Sequence, residues 1–256
     1  MKNWLLICML LTGNYSFAQV IPVGFIKKGG NPLTENLLLY LDATKTASYG
    51  GTGTTWTDIS GQSPSNNATL SGSPTFASGS FTFGANKRAL TSQLIPSLSS
   101  ATFVAWVYPS VDNNDDGIIF SRGGYGGATG TATGMHLRTN GSVYNMVAYH
   151  WNDDNMNWNS NLVVPKDRWS MIAITISSTQ AVAYLCNSNG ISSATNAASH
   201  AVVNGLKFYI ANDPRFGADN RAFTGKLATS MVYSSTLTSD NITALFNAQK
   251  ASFGIN

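Results

Sequence analysis

Charge is scarce in this chain. Charged residues make up 11% of 256 positions, and glutamate occurs once, at Glu35; ordinary domains carry about 25%. The formal net charge of +3 is small and scattered, so no basic stripe of the kind that grips nucleic acid is present. Cysteine is limited to Cys8 and Cys186, and histidine to His136, His150 and His200, without the H-x-x-x-H or Cys/His spacing of a zinc site. No apolar run approaches the roughly twenty residues that a membrane-spanning helix needs. There is no G-x-S-x-G elbow, and the glycines of 123–130 are not followed by G-K-[ST] and a helix, which excludes the strand-turn nucleophile and the phosphate cradle.

What the chain does contain begins with a leader. Lys2, the apolar residues 4–11 and the small-x-small run Ser16-Phe17-Ala18 read as a secretory signal cleaved after Ala18, which predicts an extracellular, secreted or cell-surface protein. Cys8 follows Ile7 inside the apolar run, unlike the lipidated cysteine of a bacterial precursor. Beyond the leader only Cys186 remains, so no intrachain disulfide is expected and stability must come from a packed core. A composition 43% hydrophobic, with twelve Phe and six Trp, can supply one. Surface polarity falls to Asn, Ser, Thr and Gly, which suit turns and can also meet the neutral hydroxyls of a glycan.

Strand-like runs recur from end to end, at residues 37–43, 80–83, 101–108, 117–121, 135–139, 143–151, 169–177, 181–187, 206–211 and 226–234. Between them lie segments such as YGGTGT, GQSPSNN, VDNNDDG and RGGYGGATGTATG, rich in turn residues. Many strands with short turns imply an all-β sandwich or barrel. In 101–108 both alternating sets are apolar, Phe103, Ala105 and Val107 on one side and Val104, Trp106 and Tyr108 on the other, so this strand is expected between layers or under a covering loop. One helix is expected near the C-terminus, capped by Thr238 or Ser239, with Ile242, Leu245, Phe246 and Gln249 at helical spacing. The expected organisation is a signal peptide at 1–18, a lead-in at 19–36 and one domain over 37–256.

Four segments carry a family resemblance. LLLYLDATKTASYGGTGTTWTDISG resembles the opening of bacterial laminin G-like (LamG) jelly rolls, and SFTF followed by AWVYPS resembles their next motif. WNWNSNLVVPKDRWSMIAITI and AFTGKLATSMVYSSTLTSDNITALFNAQK follow in the family's order, with small departures at AYLCNSNG and at Asn241-Ile242. The resemblance spans about residues 37–250 and implies a concanavalin A-like jelly roll of two antiparallel sheets with a short C-terminal helix. That fold serves lectins, other binding domains and some β-glucanases, so function must be read from a site.

Glycoside hydrolysis needs two carboxyl groups across the scissile bond. The β-glucanase branch resembles E-x-D-x-E on one strand, and a chain with Glu35 as its sole glutamate has no such motif. The adjacent pairs Asp115-Asp116 and Asp153-Asp154 sit in turn-like sequence, and neighbours on an extended chain point to opposite faces. Cys186 reads as a small core residue, and His136 and His200 as structural or surface groups. These features favour a non-catalytic protein. Calcium is a possible cofactor, since Asp112, Asn114, Asp116 and Gly117 match half of a D-x-[DN]-x-[DN]-G loop; position twelve is Gly123, which offers no carboxylate, so a hairpin turn is favoured there. Asp153 and Asp154 are a second candidate for oxygen ligands.

The stretch HWNDDNMNWNSN, residues 150–161, stands out. Tyr149, Trp151 and Trp158 offer aromatic faces, and Asp153, Asp154, Asn155 and Asn157 offer hydrogen bonds, the combination that a sugar ring with an apolar face and a hydroxyl rim requires. Packing of Trp158, and equally of Trp151, as core is the competing reading. The sequence thus predicts an exported binding or adhesion module for a glycan or cell-surface polysaccharide, with Tyr149, Trp151, Asp153, Asp154, Asn155 and Trp158 as ligand-binding residues. The alternative is a structural or protein-binding surface component.

Overall fold

The computed structural model describes residues 33–121, 132–152, 157–205, 207–214 and 221–256. The expected leader and Asp153, Asp154 and Asn155 lie outside the described residues. Those described form strands β1 (Leu37–Asp42), β2 (Thr55–Trp56), β3 (Ala68–Ser71), β4 (Thr75–Ala77), β5 (Ser80–Phe83), β6 (Arg88–Thr91), β7 (Ala101–Pro109) and β8 (Asp116–Ser121). The second half supplies β9 (Thr133–Asn140), β10 (Val143–His150), β11 (Asn157–Val163), β12 (Ser170–Ile176), β13 (Ala181–Asn187), β14 (Gly190–Asn196), β15 (Tyr209–Ile210) and β16 (Gly225–Tyr233), followed by helix α1 (Ser239–Gln249).

The strands build two antiparallel sheets, as a concanavalin A-like sandwich requires. One runs β14-β13-β12-β7-β16-β5-β4, with β1 also paired to β16; the other runs β11-β10-β9-β8-β15-β6-β3-β2. Strand β7 shows why both of its alternating sets are apolar. Phe103, Ala105 and Val107 face the core between the sheets, whereas Val104 and Trp106 face a second core under α1. There Ile242, Leu245 and Phe246 of the helix pack on the outside of the first sheet, and Trp106 stacks on Phe246 and Phe253 while its Nε1 donates to Gln249 Oε1 at 2.6 Å. Thr238 caps the helix: its hydroxyl accepts from Asn241 N, and the Asn241 side chain accepts from Thr238 N. Cys186 is buried in this second core, where desolvation pushes its thiol up to about 12, the behaviour of a packing residue rather than a nucleophile.

The two motif aspartates near the start are pins for the chain. Asp58 Oδ1 accepts from Tyr40 N and Ser60 N, both at 2.9 Å, and Oδ2 accepts from Ser60 Oγ at 2.9 Å and Asn66 N at 3.0 Å. Asp42 accepts from Thr44 N and Oγ1 and from the Tyr40 hydroxyl. Each carboxylate closes a turn and ties it to β1, so residues 37–60 act as one unit.

Three local expectations change. Residues 157–161 are strand, not connection: β11 pairs with β10 through Tyr149↔Trp158 and His150↔Asn157. The strand expected over 206–211 shrinks to β15 (Tyr209–Ile210), after which Asn212 bridges to Ala222. Strands β2, β3, β4, β6 and β14 were not anticipated; GISSATN of β14 lies at a sheet edge, mostly exposed, and pairs through its backbone without an apolar pattern.

Candidate functional site on the outer face of the second sheet

Alternation along β9 and β10 sends Met135, Leu137, Val147 and Tyr149 into the inter-sheet core. His136, Arg138, Ala148 and His150 therefore face outward. The 150–161 stretch is divided in the same way: its tryptophans turn inward, and His150 and Asn157 join the outer face.

Tyr149 and Trp151 are fully buried members of the core, and this corrects the expectation that they offer stacking faces. Trp151 Nε1 donates to Ala201 O at 2.6 Å, and the Tyr149 hydroxyl lies 2.6 Å from His200 Nε2. The physical reason is register: the alternation that puts Val147 in the core puts positions 149 and 151 there too. Trp158 is half-buried and packs on Tyr149, ring centroids 5.9 Å apart.

The outer face carries a charged row that sequence reasoning missed. Asp115 Oδ1 lies 3.1 Å from Arg138 Nε and 3.8 Å from His136 Nδ1, and Oδ2 lies 3.5 Å from an Arg221 guanidinium nitrogen. Arg221 also reaches the fully buried Asp213 at 3.4 Å, and Arg138 donates onward to Asn157 Oδ1. Asp115, Arg138 and Arg221 are each between 20% and 30% exposed, so the row is open to solvent. Beneath it, His136 and His150 are buried with ring centroids 4.7 Å apart, and Phe120 meets both.

Backbone geometry delivers these groups. Asp115 has φ +60° at the entry to β8, and Asn114 N donates to Asp116 Oδ2 at 2.9 Å. Asp213 N donates to Arg221 O at 3.0 Å, which sets those two side chains beside each other, and Gly117 N donates to Arg221 O at 3.2 Å, which ties Arg221 to β8. Gly117 permits the approach, because a Cβ there would meet Asn212 O at 2.4 Å. Below the row, Asn113 N donates to Asn145 Oδ1 at 2.9 Å, a buried amide pair that fixes the turn before β8 to β10.

Burial pushes the Asp116 carboxyl up to about 7, with the neighbouring Asp115 adding to it, while the Asn114 backbone N–H and Arg221 oppose it. The half calcium loop does not fit a metal: Asp112 pairs with Lys166 Nζ at 2.8 Å, Asn114 and Asp116 bond each other, and Asp115 turns to the arginines. Among the described residues no group of three or more His, Cys, Asp or Glu side chains is arranged to hold an ion. Gly123, Asp153 and Asp154 lie outside them.

A laminin G family model described as concanavalin A-like lectin/glucanases superfamily matches residues 83–243. The chain belongs to this superfamily. No curated protein matches it. Among solved structures, domain 4 of the GH43 extracellular arabinanase AbnA from Geobacillus stearothermophilus, in complex with arabinotriose, is similar at 13% identity and a TM-score of 0.59, covering 82% of this chain and 98% of that one. The sialidase of Trypanosoma rangeli, in complex with 2,3-difluorosialic acid, is similar at 14% identity and a TM-score of 0.56 over 85% of this chain, which spans 33% of the sialidase. The binding domain of botulinum neurotoxin DC, in complex with SialylT, gives 12% identity and a TM-score of 0.54 over 84% of this chain, which spans 51% of that structure. At these identities the likeness shows the shared fold.

The outer face of the second sheet carries a polar row rather than an aromatic one. One signal for it existed in the sequence. His136, Arg138 and His150 interrupt otherwise apolar strands at alternate positions, which marks a face that is not core. The partners Asp115, Asp213 and Arg221 carry no such mark, because only the fold brings residues 115 and 221 together.

Proposed function

We propose that this chain is an exported, non-catalytic glycan-binding module of the lectin type, and that it presents the outer face of its second sheet to the ligand. The observation that carries the reading is the open row Asp115–Arg138–Asn157 with Arg221. It offers fixed donors and acceptors side by side, the chemistry that fits vicinal hydroxyls. Two arginines balance Asp115 and Asp213, and Asp116 is held toward its neutral form, so the face suits a neutral sugar better than a uronate or sialate. Family membership supports the same reading. Against hydrolysis stand the pairing of Asp115 and Asp213 with arginine and the lack of an E-x-D-x-E strand.

The test is a glycan array probed with the purified protein, with calcium and with a chelator, beside the Arg138→Ala and Asp115→Ala variants. A related set of neutral glycans bound by the parent and lost in both variants is expected. Binding that survives both substitutions would move the ligand elsewhere. The export element is checked by N-terminal sequencing of the secreted product, with Gln19 expected first. A second reading, a surface component that pairs with another protein, is favoured by β14, a seven-residue edge strand without charge or proline. Silence of the array in both conditions would favour it.

A further inference from the structure

A second concavity lies where the loop 57–67, between β2 and β3, meets the loop 92–100, between β6 and β7. Its volume is about 170 Å³, close to the roughly 150 Å³ cavity that accepts a benzene ring. It shares no residue with the outer-face row. Leu38, Pro64, Leu94 and Ile95 give it apolar walls, and none of the described residues that line it is charged.

Hydrogen bonds fix this cleft before a ligand arrives. Gln93 N donates to Asn66 Oδ1 at 2.8 Å and Ser92 N donates to Asn67 O at 2.9 Å, which fastens the two loops together. Asn66 N donates to Asp58 Oδ2 at 3.0 Å, and Gln62 Nε2 donates to Leu37 O at 2.8 Å, which ties the first loop to β1. A site held in this way spends little binding free energy on ordering.

One donor is left over. Asn66 lines the cleft and is 3% exposed, and its Nδ2 has no hydrogen-bond partner. Because Gln93 N is a donor, the atom that meets it is the amide oxygen, so the unmatched atom is the nitrogen. A buried donor without an acceptor costs free energy, which a ligand recovers by bringing an acceptor. Water held against apolar walls is readily displaced by such a ligand.

The walls and the donor together select the group. An acetamido carbonyl accepts without bringing a hydrogen that needs its own acceptor, and its methyl carries apolar surface to the walls; a hydroxyl does neither. Gln62, Ser63 and Gln93 are exposed at the mouth, where their amides and hydroxyl can meet the hydroxyls of a sugar ring. An uncharged lining offers no cation to a carboxylate, which disfavours a sialate even though it is N-acetylated.

We propose that this cleft is a monosaccharide subsite, separate from the outer face, that takes one N-acetylated neutral sugar residue with its acetamido carbonyl accepting from Asn66 Nδ2. The assignment does not depend on what the outer face binds.

Titration of the ¹⁵N-labelled full chain with N-acetylglucosamine, followed by amide NMR spectra, tests it. The Asn66 side-chain NH₂ and the backbone amides of the two loops should shift together, with half-saturation at about 1 mM, in keeping with so small a ligand. Glucose should bind about tenfold more weakly, the scale of one hydrogen bond to a buried donor. Asn66→Asp keeps an oxygen for Gln93 N but removes the donor, so N-acetylglucosamine should lose its advantage over glucose. If that variant does not fold, Leu94→Ala serves: the side chain is 65% exposed, and its truncation should weaken binding about fivefold, the scale of about 40 Å² of apolar contact. Shifts that spare these loops, glucose bound as well as N-acetylglucosamine, or unchanged affinity in Leu94→Ala would each overturn the subsite. Equal shifts with N-acetylalanine methylamide would also overturn it, since the cleft would then read a peptide carbonyl. Arg138→Ala should leave the titration as it is, so failure of the outer-face reading does not remove the cleft, whereas a titration lost in Arg138→Ala would overturn its separateness.

Discussion

Replacing Trp151 with alanine separates a core tryptophan from a ligand platform. The side chain is fully buried between β10, Ala201 and His200, and its indole N–H is committed at 2.6 Å. Truncating a buried tryptophan removes its transfer free energy and leaves a cavity, together about 3–5 kcal/mol. Against a domain stability of about 5–15 kcal/mol, the variant should fold but melt about 6–20 °C lower, taking 2–4 °C per kcal/mol for a domain of this size. Trp151→Phe is the graded control. It retains most of the apolar volume and frees Ala201 O, which lies on an exposed residue and can turn to water, so a loss of about 1–2 kcal/mol is expected. Urea titration followed by far-ultraviolet circular dichroism measures both. A Trp151→Ala loss below about 0.5 kcal/mol, the value of an ordinary surface substitution, would refute the burial argument and return Trp151 to the candidate ligand residues.

Three further outcomes are expected. Asp58→Asn replaces one acceptor oxygen with a donor and strands part of the set formed by Tyr40 N, Ser60 and Asn66 N, so about 2–3 kcal/mol should be lost in the same denaturation assay. Gly134→Ala puts a Cβ 2.2 Å from Ile119 O at φ +146°, and the variant should accumulate unfolded or insoluble, as read by its soluble yield and circular dichroism. Asp116 has a folded-state value raised to about 7, so its contribution is full below the unfolded value of about 3.9 and is lost as pH rises through about 7. The parent should therefore lose stability relative to Asp116→Asn between about pH 4 and 7 and change little above that, and a difference that stays flat from about pH 4 to 7 would contradict the burial of this carboxyl.

Much of the fold was legible because it is written in local chemistry. The apolar alternation of 101–108 anticipated two packed layers on β7, and Thr238, Ile242, Leu245 and Phe246 marked the helix, since capping and 3.6-residue spacing act within a few residues. The site was less legible. Trp151 and Asn157 belong to one asparagine-rich stretch, yet one is core and the other part of the outer face, and composition cannot distinguish them. Of the strands not anticipated, β2, β4, β11 and β14 lie at sheet edges, where backbone pairing sets structure without the apolar pattern that reveals a central strand, while β3 and β6 lie inside the second sheet and are only four residues long.

The sequence by itself determined the family, the all-β sandwich and the buried free cysteine, because these rest on periodicity and on motifs close along the chain. Only the tertiary structure decided that Tyr149 and Trp151 are core, that His200 clamps them, and that Asp115, Arg138 and Arg221 meet on one face. Residues 115 and 221 lie more than a hundred positions apart, and neither carries a local mark of the other. Their meeting depends on sheet order, on strand register and on a glycine at 117 that lets one backbone lie against another.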